Sequence, residues 1–390
     1  MSQNAEKFDH WIRTAFVEQN TALEEMYFER TDRAAVEGVG DDIKRAICDE
    51  GRDLIKDLVV EGNTDEGFDS AFNLLGDVGL YMASLRRHEL TNPASEEKSP
   101  HREASALALH IAASIGVTPR FATSHLATHN LAVDGKAKRF TNLSDEKLFL
   151  DYNTRGIFAF KRAADAIRRV LPIGISHTVA RTLLKDAADA LRDVAKFNKY
   201  LFDNLDTDRF FYCVRPYYKP YLVGRNEYRG ANAGDFSGIN ELDLLLGLCQ
   251  ANDAYYSQLL VDKMLFMRPE DQASLRDCMR QRSLLNEFLA AARNSSGASW
   301  FQENLGAYLK VCELFGEIGA QHHDQLVEKF IAKPSDDLDE QKLAQVTASG
   351  PPLPVLLASL EVLRDLRLAA DRADINSRHN DIAKLRSLLK

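Results

Sequence analysis

The chain has 390 residues, of which 45% are hydrophobic and 27% charged, a composition typical of soluble globular proteins. Its 58 acidic residues outnumber 49 basic ones, the net charge is −9, and no Lys/Arg-rich run stands out, so nucleic acid is not expected as a partner. No apolar run approaches the roughly 18 residues of a membrane span. The first residues lack the parts of a signal peptide and the five cysteines lack CxxC spacing, so we expect a cytoplasmic protein with reduced thiols.

Helical periodicity dominates and strand patterns are almost absent, so the sequence predicts an all-α fold. The best candidate boundary is the polar, proline-bounded segment 92–101. It predicts an N-terminal helical region over residues 1–98 and a larger helical domain over 99–390, which can hold a cofactor between facing helices. In chain order, helices are predicted at about 5–36, 41–61, 66–89, 102–116, 119–131, 144–171, 176–205, 236–266, 270–293 and 299–332, and again from Leu353.

The segment 209–234 is predicted to be a long loop, dense in aromatic rings, arginine, glycine and proline. A compact domain seldom carries a loop beyond roughly 12–15 residues without a functional reason. Arg215, close to Phe210, suits a flat anionic molecule through carboxylate pairing and ring stacking, or else it ties the loop to carbonyls at a helix end. The run that ends at Gly234 leads into a helix, where backbone N–H groups can hold an anion or simply form a tight turn.

One predicted helix ends in two histidines, His322 and His323. Gly316, Gly319 and Ala320 lie seven, four and three residues before His323 and so share its helix face. Glycine inside a helix costs about 1 kcal/mol relative to alanine, so two on one face call for a reason. One reason is clearance for a flat macrocycle ligated by the histidine. The other is close packing of a second helix over small residues, which the spacing alone favours.

Three motifs follow one another along the chain and resemble the pattern of the indoleamine 2,3-dioxygenases in order and approximate spacing. They are Phe210-Phe211-x-x-x-Arg215, then Ala233-Gly234 leading into Asp243-Leu-Leu-Leu-Gly247, then His323-x-Gln325-Leu-Val327-x-Lys329-Phe-Ile331. Three further stretches resemble more closely the monodechloroaminopyrrolnitrin synthase branch of the same haem-dependent superfamily. These are Arg215-Pro-Tyr-Tyr-x-Pro220, Val223-Gly224 and Tyr228-x-Gly230. The likeness covers about 209–331 well and about 102–172 more weakly.

The resemblance implies an all-α, two-domain enzyme that holds haem b, with His323 as the proximal iron ligand. An indole amino acid and dioxygen would be its small-molecule partners. Arg215 would pair with the carboxylate of the substrate, and Phe210 would pack on its ring. Further residues implied for the site are Gly316, Gly319, Ala320 and Gly234 beside the haem, and Phe158, Lys161, Ser349 and Gly350 beside the substrate.

The chain also departs from the dioxygenase pattern. Arg229-Gly-Ala-Asn-Ala-Gly-Asp-Phe-Ser237 replaces a Gly-Gly-Ser-Ala-Gly-Gln-Ser-Ser run, and two prolines follow Ser349-Gly350. On the distal helix, Lys161 stands where the family has serine; it either changes the polarity beside bound oxygen or points to solvent. Three functions therefore stay open: haem-dependent oxidation or rearrangement of a tryptophan-like substrate, a haem-binding sensor or carrier, and a cofactor-free helical interaction protein.

Overall fold

The computed structural model describes residues 2–62, 66–336 and 353–390, and it confirms the predicted all-α class. Its contacts divide the chain into two compact units. Residues 1–98 fall in the same unit as 99–151, so the units do not coincide with the predicted division at residue 98, which stays a prediction. Unit 1 comprises Met1–Asp151, Leu205–Asp235 and Lys329–Leu353, and unit 2 comprises Tyr152–Asn204, Phe236–Glu328 and Pro354–Lys390.

Unit 1 is built around helix α4 (Phe68–Arg87), in which every residue from Leu74 to Arg87 is buried. A helix that is buried on all sides forms the centre of a core, and α1, α3 and α5 pack against it. The helices of this unit are α1 (Gln3–Arg13), α2 (Ala15–Phe28), α3 (Asp41–Glu61), α4 (Phe68–Arg87), α5 (Arg102–Ile115) and α6 (Thr123–Leu126), followed by the first residues of α7 (Ser144–Ile173).

A buried ion pair of unit 1 holds the segment 209–234, called here the aromatic segment, against the core. Arg87 on α4 donates from Nε and Nη2 to the carboxylate of Glu24 on α2, at 2.8 Å each. The same Nη2 also donates to the carbonyl oxygen of Tyr212, at 3.0 Å. Burial lowers the pKa of Arg87, but the adjacent Glu24 carboxylate more than offsets this and holds the pKa of Arg87 above its usual range. The pair thereby fixes the aromatic segment to two core helices.

The aromatic segment forms regular secondary structure over much of its length as far as Tyr228, so its prediction as one long loop was wrong there. A helical turn at Thr207–Arg209 continues into a π-helical turn at Phe210–Val214 and a 3₁₀ turn at Arg215–Tyr218. A hairpin of β1 (Tyr221–Val223) and β2 (Asn226–Tyr228) follows, with Tyr221 paired to Tyr228. Aromatic rings packed into the core give this stretch its order, which a loop composition does not predict.

Two long helices of unit 2, α8 (Thr178–Asn204) and α13 (Ser299–Gln321), run side by side in the same direction. The amide of Asn304 near the start of α13 donates to Ile175 O at 2.7 Å, and the amide of Gln321 at its end donates to Ala195 O at 3.1 Å. Unit 2 contains most of α7, then α8 (Thr178–Asn204), α9 (Ser237–Leu246), α10 (Ala254–Met264), α11 (Pro269–Arg280), α12 (Leu284–Ser295), α13 (Ser299–Gln321), α14 (Leu353–Arg367, from Pro354 on) and α15 (His379–Arg386).

Some predicted helices were wrong in extent. The predicted helix 5–36 is two helices and ends at Phe28, and the predicted helix 236–266 is broken after Leu246. Gly247 ends α9 in the left-handed region, at φ 85°, where a Cβ atom would lie 2.8 Å from the Cβ of Leu285. The close approach of α12 therefore requires glycine here and stops the helix.

The predicted helix 119–131 contains only the four residues of α6. His125 is buried, stacks on Phe72 with ring centroids 3.9 Å apart, and accepts a hydrogen bond at Nδ1 from the backbone N–H of Ala122, at 2.8 Å. This side-chain bond caps the N-terminal end of α6, and the non-helical backbone of Ala127 ends the helix after one turn.

Candidate functional site

The two adjacent histidines of unit 2 lie where helix α13 changes its hydrogen-bonding pattern. The α-helix ends at Gln321, and His322–Ala332 continues as a π-helix. Segments of π-helix occur often at functional sites. The ring of His322 reaches solvent, yet protein crowds around it, and this desolvation, helped by the charges of Arg367 and Lys263, lowers its pKa to about 4.

Among the described residues, His323 is held through its Nδ1 atom alone. Its side chain is 22% exposed, and its Nδ1 lies 3.1 Å from Asp324 Oδ1 and 3.3 Å from Nη1 of Arg364. A carboxylate only accepts and a guanidinium only donates, so the two contacts require opposite tautomers. The tautomer that donates to Asp324, the shorter of the two contacts, carries its proton on Nδ1. In that tautomer Nε2 carries a lone pair, and it has no hydrogen-bond partner among the described residues.

A buried arginine–carboxylate pair lies beside the histidines in unit 2. Arg367, the last residue of α14, donates from Nε and Nη2 to Asp243 of α9, at 2.8 Å each. The hydroxyl of Tyr256 on α10 donates to Asp243 Oδ2 at 2.8 Å and accepts from the amide of Asn240 at 3.1 Å. The carboxylate therefore accepts three hydrogen bonds within the protein, and none of these three comes from His323.

The glycine face of α13 is covered by the end of α14. A Cβ atom at Gly316 would lie 3.0 Å from the carbonyl oxygen of Arg367, and one at Gly319 would lie 3.5 Å from its Cδ. Ala320, on the same face, is half-buried. At Gly316 and Gly319 the structure therefore favours the packing alternative of the sequence analysis, and contact with a cofactor at this face stays a prediction.

Arg215 and Phe210 lie in the ordered aromatic segment of unit 1. Arg215 is 4% exposed, and its guanidinium lies 5.4 Å from the ring centroid of Phe211. Burial lowers the pKa of Arg215 to about 10, so it stays protonated at neutral pH. Phe210 packs between Phe149 and Phe330, at centroid distances of 4.9 and 5.8 Å. A buried cation among aromatic rings suits a flat anionic molecule.

The run before α9 forms a tight turn fixed by side chains. Asn232 Oδ1 accepts from the backbone N–H of Gly234 at 2.8 Å. Asp235 accepts from the guanidinium of Arg229 at 2.9 Å through both oxygens, and also from the N–H of Asn232 at 2.9 Å. These bonds close a tight turn at Gly234, which was one of the two alternatives for this run. The position of Gly234 near a haem edge stays a prediction.

The residues predicted on the distal helix lie on α7 in unit 2. Phe158 is 49% exposed. Lys161 is 40% exposed and its Nζ lies 2.8 Å from Asp271 Oδ1, which also accepts from the hydroxyl of Ser237 at 2.9 Å. The ammonium group is therefore paired within the protein. The two remaining predicted substrate contacts, Ser349 and Gly350, lie outside the described residues.

No sequence pattern identified the partners of His323 or of Asp243, the aspartate of the second motif of the resemblance. Asp324 follows the histidine pair directly, and this adjacency was a usable signal for a carboxylate at the ring. Arg364 and Arg367 come about forty residues later, on another helix, and no local pattern links them to the site.

A comparison with protein families matches residues 2–389 to the monodechloroaminopyrrolnitrin synthase PrnB family. The chain belongs to this family. Membership confirms the resemblance found in the sequence, and it makes the protein an enzyme of the haem-dependent group to which that resemblance pointed. Within the described part of the chain, no helix is both long and apolar enough to span a bilayer. In the same residues, no three His, Cys, Asp or Glu side chains gather around one point suited to a metal ion.

Haem needs a single imidazole from the protein, and His323 fits that need. Histidines that bind metals through one nitrogen nearly always donate the other N–H to a carboxylate, carbonyl or water. His323 shows this arrangement, with Nδ1 at Asp324 and Nε2 without a partner in the described chain. His322 lacks such an orienting bond among these residues.

We expect Asp324→Ala to weaken haem binding by about 10–100-fold, because the Nδ1 proton loses its acceptor and Arg364 then favours the wrong tautomer. Asp324→Asn keeps an acceptor oxygen, so its haem affinity should fall by less. Haemin titration of the purified variants measures the effect. Glu317→Ala, an exposed carboxylate on the same helix, is the matched control; equal affinities for Asp324→Ala and this control would show that Asp324 does not orient the ring.

We expect Gly316→Ala to destabilise the protein by about 1 kcal/mol, because the clash with the Arg367 carbonyl outweighs the gain in helix propensity. Gly306→Ala is the control on the same helix: its Cβ meets nothing within 4 Å, so it should stabilise by about 0.5–1 kcal/mol. Urea unfolding of both variants measures the difference. A stabilised Gly316→Ala would mean that α14 does not pack closely here.

Proposed function

We propose that the protein binds haem b through Nε2 of His323 and uses dioxygen to oxidise or rearrange a tryptophan-like substrate. The observation that carries the proposal is the state of the His323 ring, with one nitrogen at a carboxylate and the other without a partner in the described residues. Membership of the monodechloroaminopyrrolnitrin synthase family supports it and favours catalysis over the sensor, carrier and interaction-protein alternatives.

The haem iron would supply the binding and activation of dioxygen, which no side chain of the protein can perform. His323 would hold the iron, and Asp324 would keep the ring in the orientation and tautomer that ligation needs. The remaining protein groups would position the substrate and exclude water from it. All five cysteines are free, in agreement with a reducing compartment, and we place the activity in the cytoplasm.

Arg215 would bind the carboxylate of an indole amino acid. Its charge is retained at neutral pH despite burial, and a buried charge gains more from an ionic partner than an exposed one. Phe210 and its aromatic neighbours supply an apolar wall for the indole ring. Phe158, Ser349, Gly350 and Gly234 are proposed to complete the substrate and cofactor contacts, and Lys161 would have to leave Asp271 to join them.

We expect His323→Ala to lower haem affinity by more than roughly 100-fold, since it removes the iron ligand itself. His322→Ala is the matched control and should retain haem with an unchanged ferrous carbon monoxide spectrum. Haemin titration and visible spectra of both variants give the answer. If His322→Ala lost haem and His323→Ala kept it, the ligand would be His322. If both variants kept haem, a histidine ligand on this helix would be refuted.

We expect Arg215→Met to weaken binding of L-tryptophan by about 10–100-fold, because it removes a charge-assisted hydrogen bond while keeping most of the side-chain volume. Binding of tryptamine, which lacks the carboxylate, should change little. Equilibrium titration of both ligands with haem-loaded protein measures this. Arg209→Met, at a partly exposed arginine of the same segment, is the control; equal losses for both ligands would contradict the carboxylate role.

A further inference from the structure

The ring of His323 lies beside a cation that the proposed function does not use. Nη1 of Arg364, on α14, is 3.3 Å from Nδ1 of His323 and 3.7 Å from Oδ1 of Asp324. The same Oδ1 atom lies 3.1 Å from Nδ1 of the histidine. Imidazole, carboxylate and guanidinium thus form a closed triangle, in which the carboxylate faces both the ring and the cation. All three side chains are partly exposed, so a substitution here opens no cavity in the core.

Ion pairs on the other side of Arg364 hold its guanidinium in place. Its Nε donates to Oδ1 of Asp365 at 2.8 Å, and Oδ2 of Asp365 accepts from Nη1 of Arg372 at 2.7 Å. Arg372 in turn donates to both oxygens of Asp374, at 2.8 and 2.9 Å. Glu361, one turn earlier on α14, lies 3.5 Å from Nη2 of Arg364. Positive and negative groups alternate along this row, so Arg364 cannot turn away from the ring without breaking an ion pair.

The turn at the end of α14 builds this row. The N–H of Ala370 donates to the carbonyl oxygen of Asp365 at 2.9 Å. Ala369, just before it, has φ 48°, the left-handed conformation in which many helices end. The chain thereby turns back and brings Arg372 to the buried Asp365. Desolvation raises the pKa of that carboxyl group, but hydrogen bonds from Arg364 and Arg372 hold the pKa below its usual value, so the group stays charged.

The position of this cation affects an iron bound at Nε2 of His323. A carboxylate that accepts the Nδ1 proton makes the imidazole more electron-donating, which favours ferric iron. A guanidinium near the same carboxylate oxygen offsets part of that negative charge, so the imidazole donates less. The positive charge of the guanidinium also opposes the additional charge of ferric iron. Both effects favour the ferrous state and raise the reduction potential of the iron.

We propose that Arg364 is a positioning residue that acts through Asp324 to raise the reduction potential of haem held by His323. It offsets the negative charge that the carboxylate gives to the ring, and Asp365 keeps it at the distance where it does so. This inference rests on the proposed function, since it requires haem at His323.

Arg364→Met tests the proposal, because it removes the charge and keeps most of the side-chain volume. The full-length protein is loaded with haemin and titrated with dithionite in the presence of redox mediators. The ferric-to-ferrous ratio at a given potential should rise by about three- to tenfold, which for one electron corresponds to a midpoint potential lower by about 30–60 mV. Arg364→Lys keeps a positive charge and should recover more than half of the difference. The iron–histidine stretching frequency of ferrous Arg364→Met, measured by resonance Raman, should rise.

Arg181→Met is the matched control. Arg181 is an exposed arginine of the same unit, and it is paired with Glu303 at the start of α13. Glu303 lies about 30 Å along the helix from His323, well beyond the roughly 8 Å over which physiological salt screens a charge. The control should keep the native potential. A shift as large as that of Arg364→Met would mean that net charge alone sets the potential, and it would overturn the proposal.

A double variant tests the route through Asp324. In an Asp324→Asn protein, Arg364→Met should shift the potential by less than half as much, because the carboxylate charge that it offsets is gone. Equal shifts with and without Asp324 would overturn this route.

Failure of the proposed function gives a different result. If haemin does not bind, or binds equally well to His323→Ala, both the proposed function and this inference are wrong. If haemin binds through His323 and the native protein and Arg364→Met have the same potential, this inference alone is wrong.

Discussion

The arrangement of the candidate site depends on the buried pair of Asp243 and Arg367. The pair joins α9 to the end of α14, and the stem of Arg367 lies against the glycines of α13, the helix that ends in the histidines. Desolvation of two charges is costly, and here it is offset by two short bonds from the arginine and a third from Tyr256. Loss of either partner would leave a buried charge and cost about 3–5 kcal/mol.

Two buried arginines of unit 1 show why burial alone does not reveal a role. Arg87 forms an ion pair with Glu24, which raises the pKa of Arg87, so this arginine stabilises the fold. At Arg215 burial moves the pKa the other way, to about 10. A substrate carboxylate bound beside Arg215 would raise its pKa again, as Glu24 does for Arg87. Physical chemistry thus separates two residues that the sequence presents alike.

The all-α class and several helices followed from the sequence because their signals are local. Helix α3 begins and ends at the predicted residues, Asp41 and Glu61, since its periodicity and flanking glycines act within a few residues. The glycine face of α13 could not be interpreted in the same way, because its cover, Arg367, comes about fifty residues later. The order of the aromatic segment likewise depends on Arg87, far earlier in the chain. Contacts distant in sequence decided both cases.

The charge of Lys161 is balanced by Asp271, so this lysine affects the volume beside α7 more than the electrostatic potential there. The ammonium group and the Asp271 carboxylate are 2.8 Å apart, so together they form a dipole instead of a free positive charge. The field of a dipole decays faster with distance than that of a single charge, and solvent screens it further. A lysine at this position of α7 is thus compatible with an electrostatic environment close to that of a neutral residue, while its longer side chain alters the volume available nearby.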